Sequence, residues 1–176
     1  MKIIPKIDSA DISERLVGIT PVYLNNFLQR EDERNGLYGL QASVRAGKLR
    51  KKRRLFSRED VFGIALVWLL FEAGMRTDPI IRVLKDIAGT NRPNPNLAAK
   101  KLLQQNAEYL LIVRHPRLPS KTQPEKPGQE IRIVRDAQSP QPGAANPAAV
   151  EVVVPVGPKF RDIEMRLKLL FPPQGA

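Results

Sequence analysis

The chain of 176 residues has no cysteine and one histidine, His115. Disulfides, thiolate metal sites and thiol nucleophiles are therefore excluded, and a single imidazole cannot build a multi-histidine metal centre. Lying between Arg114 and Pro116 at the end of a strand-like stretch, His115 reads as an exposed loop residue, and no nucleophile stands near a plausible base, so the expectation is no enzyme, no metal and no cofactor. Aromatic residues make up only 6% of the chain, and the aromatic signature of an RRM-type RNA-binding module is missing. The longest apolar run, Val61 to Phe71, falls short of the ~20 residues that span a bilayer. With no apolar h-region near Met1, the chain is expected to be soluble and cytoplasmic, with no membrane partner.

What is abundant is positive charge. Lys and Arg number 29 against 18 Asp and Glu, a formal +11 with an isoelectric point near 10.3. Such a balance favours an anionic partner. Much of it is concentrated between residues 45 and 58, where Arg45, Lys48, Arg50, Lys51, Lys52, Arg53, Arg54 and Arg58 occur without one acidic residue. Crowded like charges repel, and a compact fold tolerates them better when phosphates neutralise them. The run is internal and flanked by structured patterns. It therefore reads as a surface wing or hairpin, turning near Ala46–Gly47, rather than as a basic tail.

The patterns on either side are helical. Ser57 followed by Arg58-Glu59-Asp60 has the form of an N-cap with a capping box, starting a helix whose Val61, Ile64, Ala65, Trp68 and Phe71 face one way while Leu66, Leu69 and Leu70 make it apolar nearly all round. Trp68 reads as core, and Gly74 as the residue that ends the helix. A further helix starts near Thr77-Asp78-Pro79 and carries Ile80, Ile81, Leu84 and Ile87. Upstream, "DSADISERLVGITPVYLNNFLQRE" reads as two short helices. Ser9 or Asp11 would cap the first, Gly18 breaks the pattern, and Thr20-Pro21 opens the second. On that second helix Leu24, Phe27 and Leu28 point inward, leaving Tyr23, Asn25, Asn26 and Arg30 outward. Asparagine suits bidentate contact with adenine, and arginine suits guanine or phosphate.

"GTNRPNPN", residues 89 to 96, holds two prolines and three asparagines and marks the main boundary. Residues 1–90 form the first unit and 97–176 the second. The second opens with a short helix, roughly Leu97 to Asn106, followed by strand-like "YLLIVRH", "EIRIVRD" and "AVEVVVPV". In the last of these Val150, Val152, Val154 and Val156 share a face. The Pro-rich stretches between them, "PRLPSKTQPEKPGQ" and "AQSPQPGAANPA", read as loops. The closing segment "GPKFRDIEMRLKLLF" places Phe160, Ile163, Leu167 and Leu170 on one stripe of an amphipathic helix. Packing on the neighbouring sheet is the ordinary meaning of such a stripe, and a dimer seam the alternative. The fold class is accordingly α+β.

Residues 53 to 87, "RRLFSREDVFGIALVWLLFEAGMRTDPIIRVLKDI", resemble the second half of a MerR-type winged-helix DNA-binding domain. There an arginine-plus-aromatic strand end leads through Ser-x-x-Asp into a helix, then glycine, then another helix. "DISERLVGITPVYLNNFL" is similar to that family's opening helix-turn-helix. The resemblance covers about the first half of the chain, and Arg54 to Asp60 is its most specific part. It implies an N-terminal winged helix-turn-helix and sequence-specific binding by a dimer. The chain departs from the family in having Asn25, Asn26 and Phe27 where many members carry arginine followed by two tyrosines, and strands where many carry a long dimerisation helix.

The expected function is that of a DNA-binding transcriptional regulator. A recognition helix at about 20–30, with Thr20, Tyr23, Asn25, Asn26 and Arg30, enters the major groove of double-stranded DNA, and a basic wing at about 45–58 holds phosphates. The alternative is a protein-interaction or assembly adaptor built on the same fold. Operator, effector and direction of regulation are not legible in the sequence.

Overall fold

The computed structural model describes residues 7–28, 38–40, 44–46, 53–114, 129–135 and 150–172. Among these lie six helical segments and two three-stranded antiparallel sheets, an α+β arrangement. The chain enters as strand β1 (Ile7–Asp8). Asp8 then accepts hydrogen bonds from the backbone N–H groups of Ala10 and Asp11, each at 2.9 Å. That carboxylate, rather than Ser9 or Asp11, caps the first helical segment, because it sits just ahead of the turn whose amides need an acceptor. The segment Asp11–Leu16 is wound as a π-helix, closed by the Val17 amide donating to the Ile12 carbonyl at 2.9 Å. Helix α1 (Pro21–Leu28) follows, burying Leu24, Phe27 and Leu28 as its spacing predicts.

Strands β2 (Val44–Ala46) and β3 (Arg53–Phe56) pair antiparallel, with β3 central and β1 on its other side. The two antiparallel arms expected around the basic run are present, with Ala46 paired to Arg53 in the ladder rather than at the expected turn, and residues 47–52 lie outside the described residues. Helix α2 (Arg58–Glu72) begins at the expected capping box. The Ser57 hydroxyl accepts from the Asp60 amide at 3.2 Å, and the Asp60 carboxylate accepts from the Ser57 amide at 2.7 Å. Every residue from Asp60 to Leu70 is buried, which is where an all-round apolar helix belongs. Beyond it the Gly74 amide donates to the Phe71 carbonyl and the Met75 amide to that of Leu70, a Schellman closure with Met75 tucked into the core.

Helices α3 (Thr77–Ala88) and α4 (Pro95–Gln104) are separated by the expected turn. The second starts two residues before its expected place, because Asn94 accepts from the Leu97 amide as its N-cap with proline next in line. Two polar bonds fix α4 on its neighbours. Lys101 donates to the Ala88 carbonyl at 2.7 Å, setting a cation on the negative end of α3. Asn96 donates to the buried Asp60 carboxylate at 2.7 Å, which joins α4 to the first turn of α2. Gly63 makes room for this, since a Cβ there would overlap the Asn96 amide oxygen.

The second sheet has the order β5 (Gln129–Val134), β4 (Tyr109–Arg114), β6 (Val150–Val154). Val152 and Val154 face inward while Val153 is 41% exposed. The strand stops there. Val156, expected to extend that face, is instead the first residue of helix α5 (Val156–Leu170), Pro155 having ended the ladder. Phe160, Ile163 and Leu167 form the anticipated stripe and are buried, with Leu170 half-buried. They pack on α2 and the π-helix as well as on β4, not on the sheet alone. Covered within its own chain, the stripe is not a dimer seam. One apolar cluster thus runs from Ile7 to Leu167 across both halves. Among the described residues no helix is long and apolar enough to cross a membrane.

The Glu108–Arg161 ion pair joins the entry of β4 to α5 through both guanidinium Nη atoms. Hydrogen bonding to Arg161 holds the Glu108 carboxyl below its usual range. A depressed carboxyl pKa stabilises the fold above the unfolded value of ~4.3, and that contribution disappears as pH falls through the folded value. Glu108→Gln is accordingly expected to unfold at lower urea than the wild type at neutral pH. The two midpoints should converge on acidification. A gap that stays constant down to acid pH would show that the pair contributes nothing through its charge.

Candidate nucleic-acid interface

The site is built on α1 and the adjoining hairpin. The Thr20 carbonyl accepts from the Leu24 amide at 3.0 Å, and its hydroxyl lies at a long 3.5 Å from the Tyr23 amide. Thr20 is therefore the cap that starts α1. With Leu24, Phe27 and Leu28 turned inward, the outward side of the helix carries Val22, Asn25 and Asn26, all exposed. Among the described residues of α1 none is charged.

Tyr23 faces outward as expected and also meets the aromatic core. It is 40% exposed, but its ring lies 5.4 Å from that of Trp68 and 5.2 Å from that of Phe71. Trp68 itself is buried and stacked on Phe71 at 5.6 Å, a core residue as its helical position implies. Phe27 meets Tyr38, Trp68 and Phe71 edge-on or tilted. The aromatic side chains thus form a platform beneath α1, with offset and T-shaped contacts of the kind that add about 0.5–1.5 kcal/mol per pair. The helix is seated on a rigid base.

Arg54 lies on the same side of β3 as the buried Phe56 and reaches across to α1, where it donates to the Asn25 side-chain oxygen at 3.3 Å. The strand register puts Arg45 directly opposite Arg54 and Ala46 opposite Arg53. Like charges at directly opposed positions weaken a two-stranded ladder. The hairpin therefore holds paired positive positions beside the exposed face of α1.

Arg58 belongs to a different neighbourhood. It is ion-paired with Glu164 of α5 at 2.7 Å and lies 5.7 Å over the Phe62 ring. The structure joins it to the C-terminal helix rather than to α1. Asp60, with Glu59 beside it, serves the start of α2, as the capping pattern predicts. Arg30, Lys48, Arg50, Lys51 and Lys52 lie outside the described residues, as do His115, the Pro-rich stretches and the side chains of Arg45 and Arg53. One residue of the face escaped the sequence reading. Val22, 66% exposed, stands three and four residues before the two asparagines. Its signal was available: a valine displaced from the apolar stripe of its own helix.

No protein-family model matches this sequence, and no curated protein matches it significantly.

Proposed function

We propose that the chain is a double-stranded-DNA-binding protein of the transcription-regulator type. Helix α1 lies in the major groove and the β2–β3 hairpin rests its basic residues on the flanking phosphates. The observation that carries this reading is the Arg54–Asn25 hydrogen bond, which locks a strand of the basic hairpin to the exposed, uncharged face of α1. A groove-entering helix needs a side that can approach base edges, and a wing needs cations held at a fixed distance from it. The order of elements also supports the reading. A short helix, a second helix, an antiparallel hairpin and two further helices follow one another, as the resemblance to the MerR-type domain implies.

The test is retention of a random-sequence duplex pool by the full chain at several salt concentrations, with the retained fraction sequenced. A steep fall of affinity with salt and an enriched motif are expected. No retention at low salt would reject DNA binding. It would favour the adaptor reading, for which the specific observation is the pair of exposed apolar side chains Met165 and Leu169 on the outer side of α5.

A further inference from the structure

The outward face of α1 is chemically narrow. It offers two carboxamides and one branched hydrocarbon, in a chain whose formal charge is +11. Neither an acidic residue in its first turn nor a basic one in its last interrupts the helix. The donor and acceptor code of the major groove makes this informative. Guanine is read by arginine or lysine, the cytosine amine by a carboxylate, adenine by a bidentate amide, and the thymine methyl group by apolar contact. The described residues of α1 hold the two A·T groups, and the arginine beside them, Arg54, is turned onto Asn25.

The two asparagines are not equivalent. The Asn25 oxygen accepts from Arg54 at 3.3 Å, which uses one of its two acceptor positions and turns it toward the hairpin, whereas Asn26 has both ends of its amide outward. Bidentate contact with adenine needs both ends of the amide, the oxygen for N6–H and the nitrogen for N7. Asn26 is exposed and stands four residues after Val22, one helical turn along the same side. Four residues advance a helix by about 6 Å, against about 3.4 Å between stacked base pairs, so both side chains reach pairs one or two steps apart.

Resting on the DNA-binding reading above, we infer that Asn26 and Val22 are the specificity-determining residues of this protein and that they select A·T pairs, Asn26 through adenine and Val22 through the thymine methyl group.

The experiment uses the full chain and the duplex that emerges from the selection. Adenines are replaced one at a time by 7-deazaadenine, which removes N7, and thymines by uracil, which removes the methyl group. One deaza position is expected to lower wild-type affinity about tenfold and to have no effect on Asn26→Ala, because that variant has already lost the contact. One uracil position should cost the wild type several-fold and leave Val22→Ser, which offers no methyl group, unchanged. Circular dichroism and urea midpoints matching the wild type show that the variants are folded. Retention of duplex with no A·T preference, or losses that persist undiminished in the variants, would overturn this inference and leave DNA binding standing. Failure to retain any duplex would overturn both.

Discussion

Glutamine in place of Lys48, Arg50, Lys51 and Lys52 is expected to lower affinity for every duplex by roughly a thousandfold at 0.15 M salt. The size follows from counterion release. Each lost phosphate contact takes about 0.9 from the slope of log affinity against log salt, so four contacts reduce that slope by about 3.6. Preference among sequences should survive, since phosphate contacts fix position without reading bases. Binding titrations across a salt series, on the selected duplex and on a scrambled one, measure both quantities. Undiminished affinity in the quadruple variant would rule out the hairpin as the phosphate anchor. A changed ranking of sequences would mean that these side chains read bases instead.

The largest effect on stability is expected from Gly39→Ala. Gly39 has a positive φ of 74°, and a Cβ there would overlap the Pro93 carbonyl oxygen ahead of α4. Neither partner can rotate aside, because the obstacle is backbone on one side and a first side-chain carbon on the other. Left-handed strain and overpacking together predict a loss of roughly 3 kcal/mol. For a chain of this size that corresponds to a fall of about 6–12 °C in the melting midpoint. Gly74→Ala is the internal control. Its φ of 78° is nearly the same, but nothing lies within 4 Å of its added Cβ, so only the strain of about 1–2 kcal/mol remains. Equal losses in the two variants would show that the approach to Pro93 carries no energy. Because Tyr38 is next in sequence and packs on Phe27 and near Thr77, the displaced turn should also loosen the seat of α1.

The parts of this fold that could be read from sequence are those set by local chemistry. The Ser57 capping box, the all-round apolar α2, the glycine closure at Gly74 and the inward stripe of α1 each depend on residues a few positions apart, and each stands where its pattern placed it. Strand β1 was not legible, since two residues are too short to show any period. Nor was the partner of α5. An amphipathic stripe states that a helix face is buried, but not against what. The same limit divided the candidate site. Spacing identified Asn25 and Asn26 as outward, whereas the attachment of Asn25 to Arg54 and of Arg58 to Glu164 joins residues 29 and 106 positions apart. Tyr23 is exposed, as its helical position implies, and what spacing could not show is that the Trp68 and Phe71 rings rise to meet it.

The π-helix ends against α5, where Lys159 donates to the Val17 carbonyl at 2.7 Å and Arg166 to the Arg15 carbonyl at 3.2 Å. The first of these contacts spans 142 residues. Contacts so far apart along the chain form slowly, because the entropy of closing the loop is lost before any bonding is gained. On a ribosome adding about 5–20 residues per second, about 7–28 s pass between synthesis of the two partners. Throughout that interval the segment before α1 is held by the pairing of β1 with β3 and lacks its clasp to α5. The Asp11–Leu16 turn is thus fixed in two stages, first through β3 and last through α5, and a nascent chain passes through a stage in which only the first is in place.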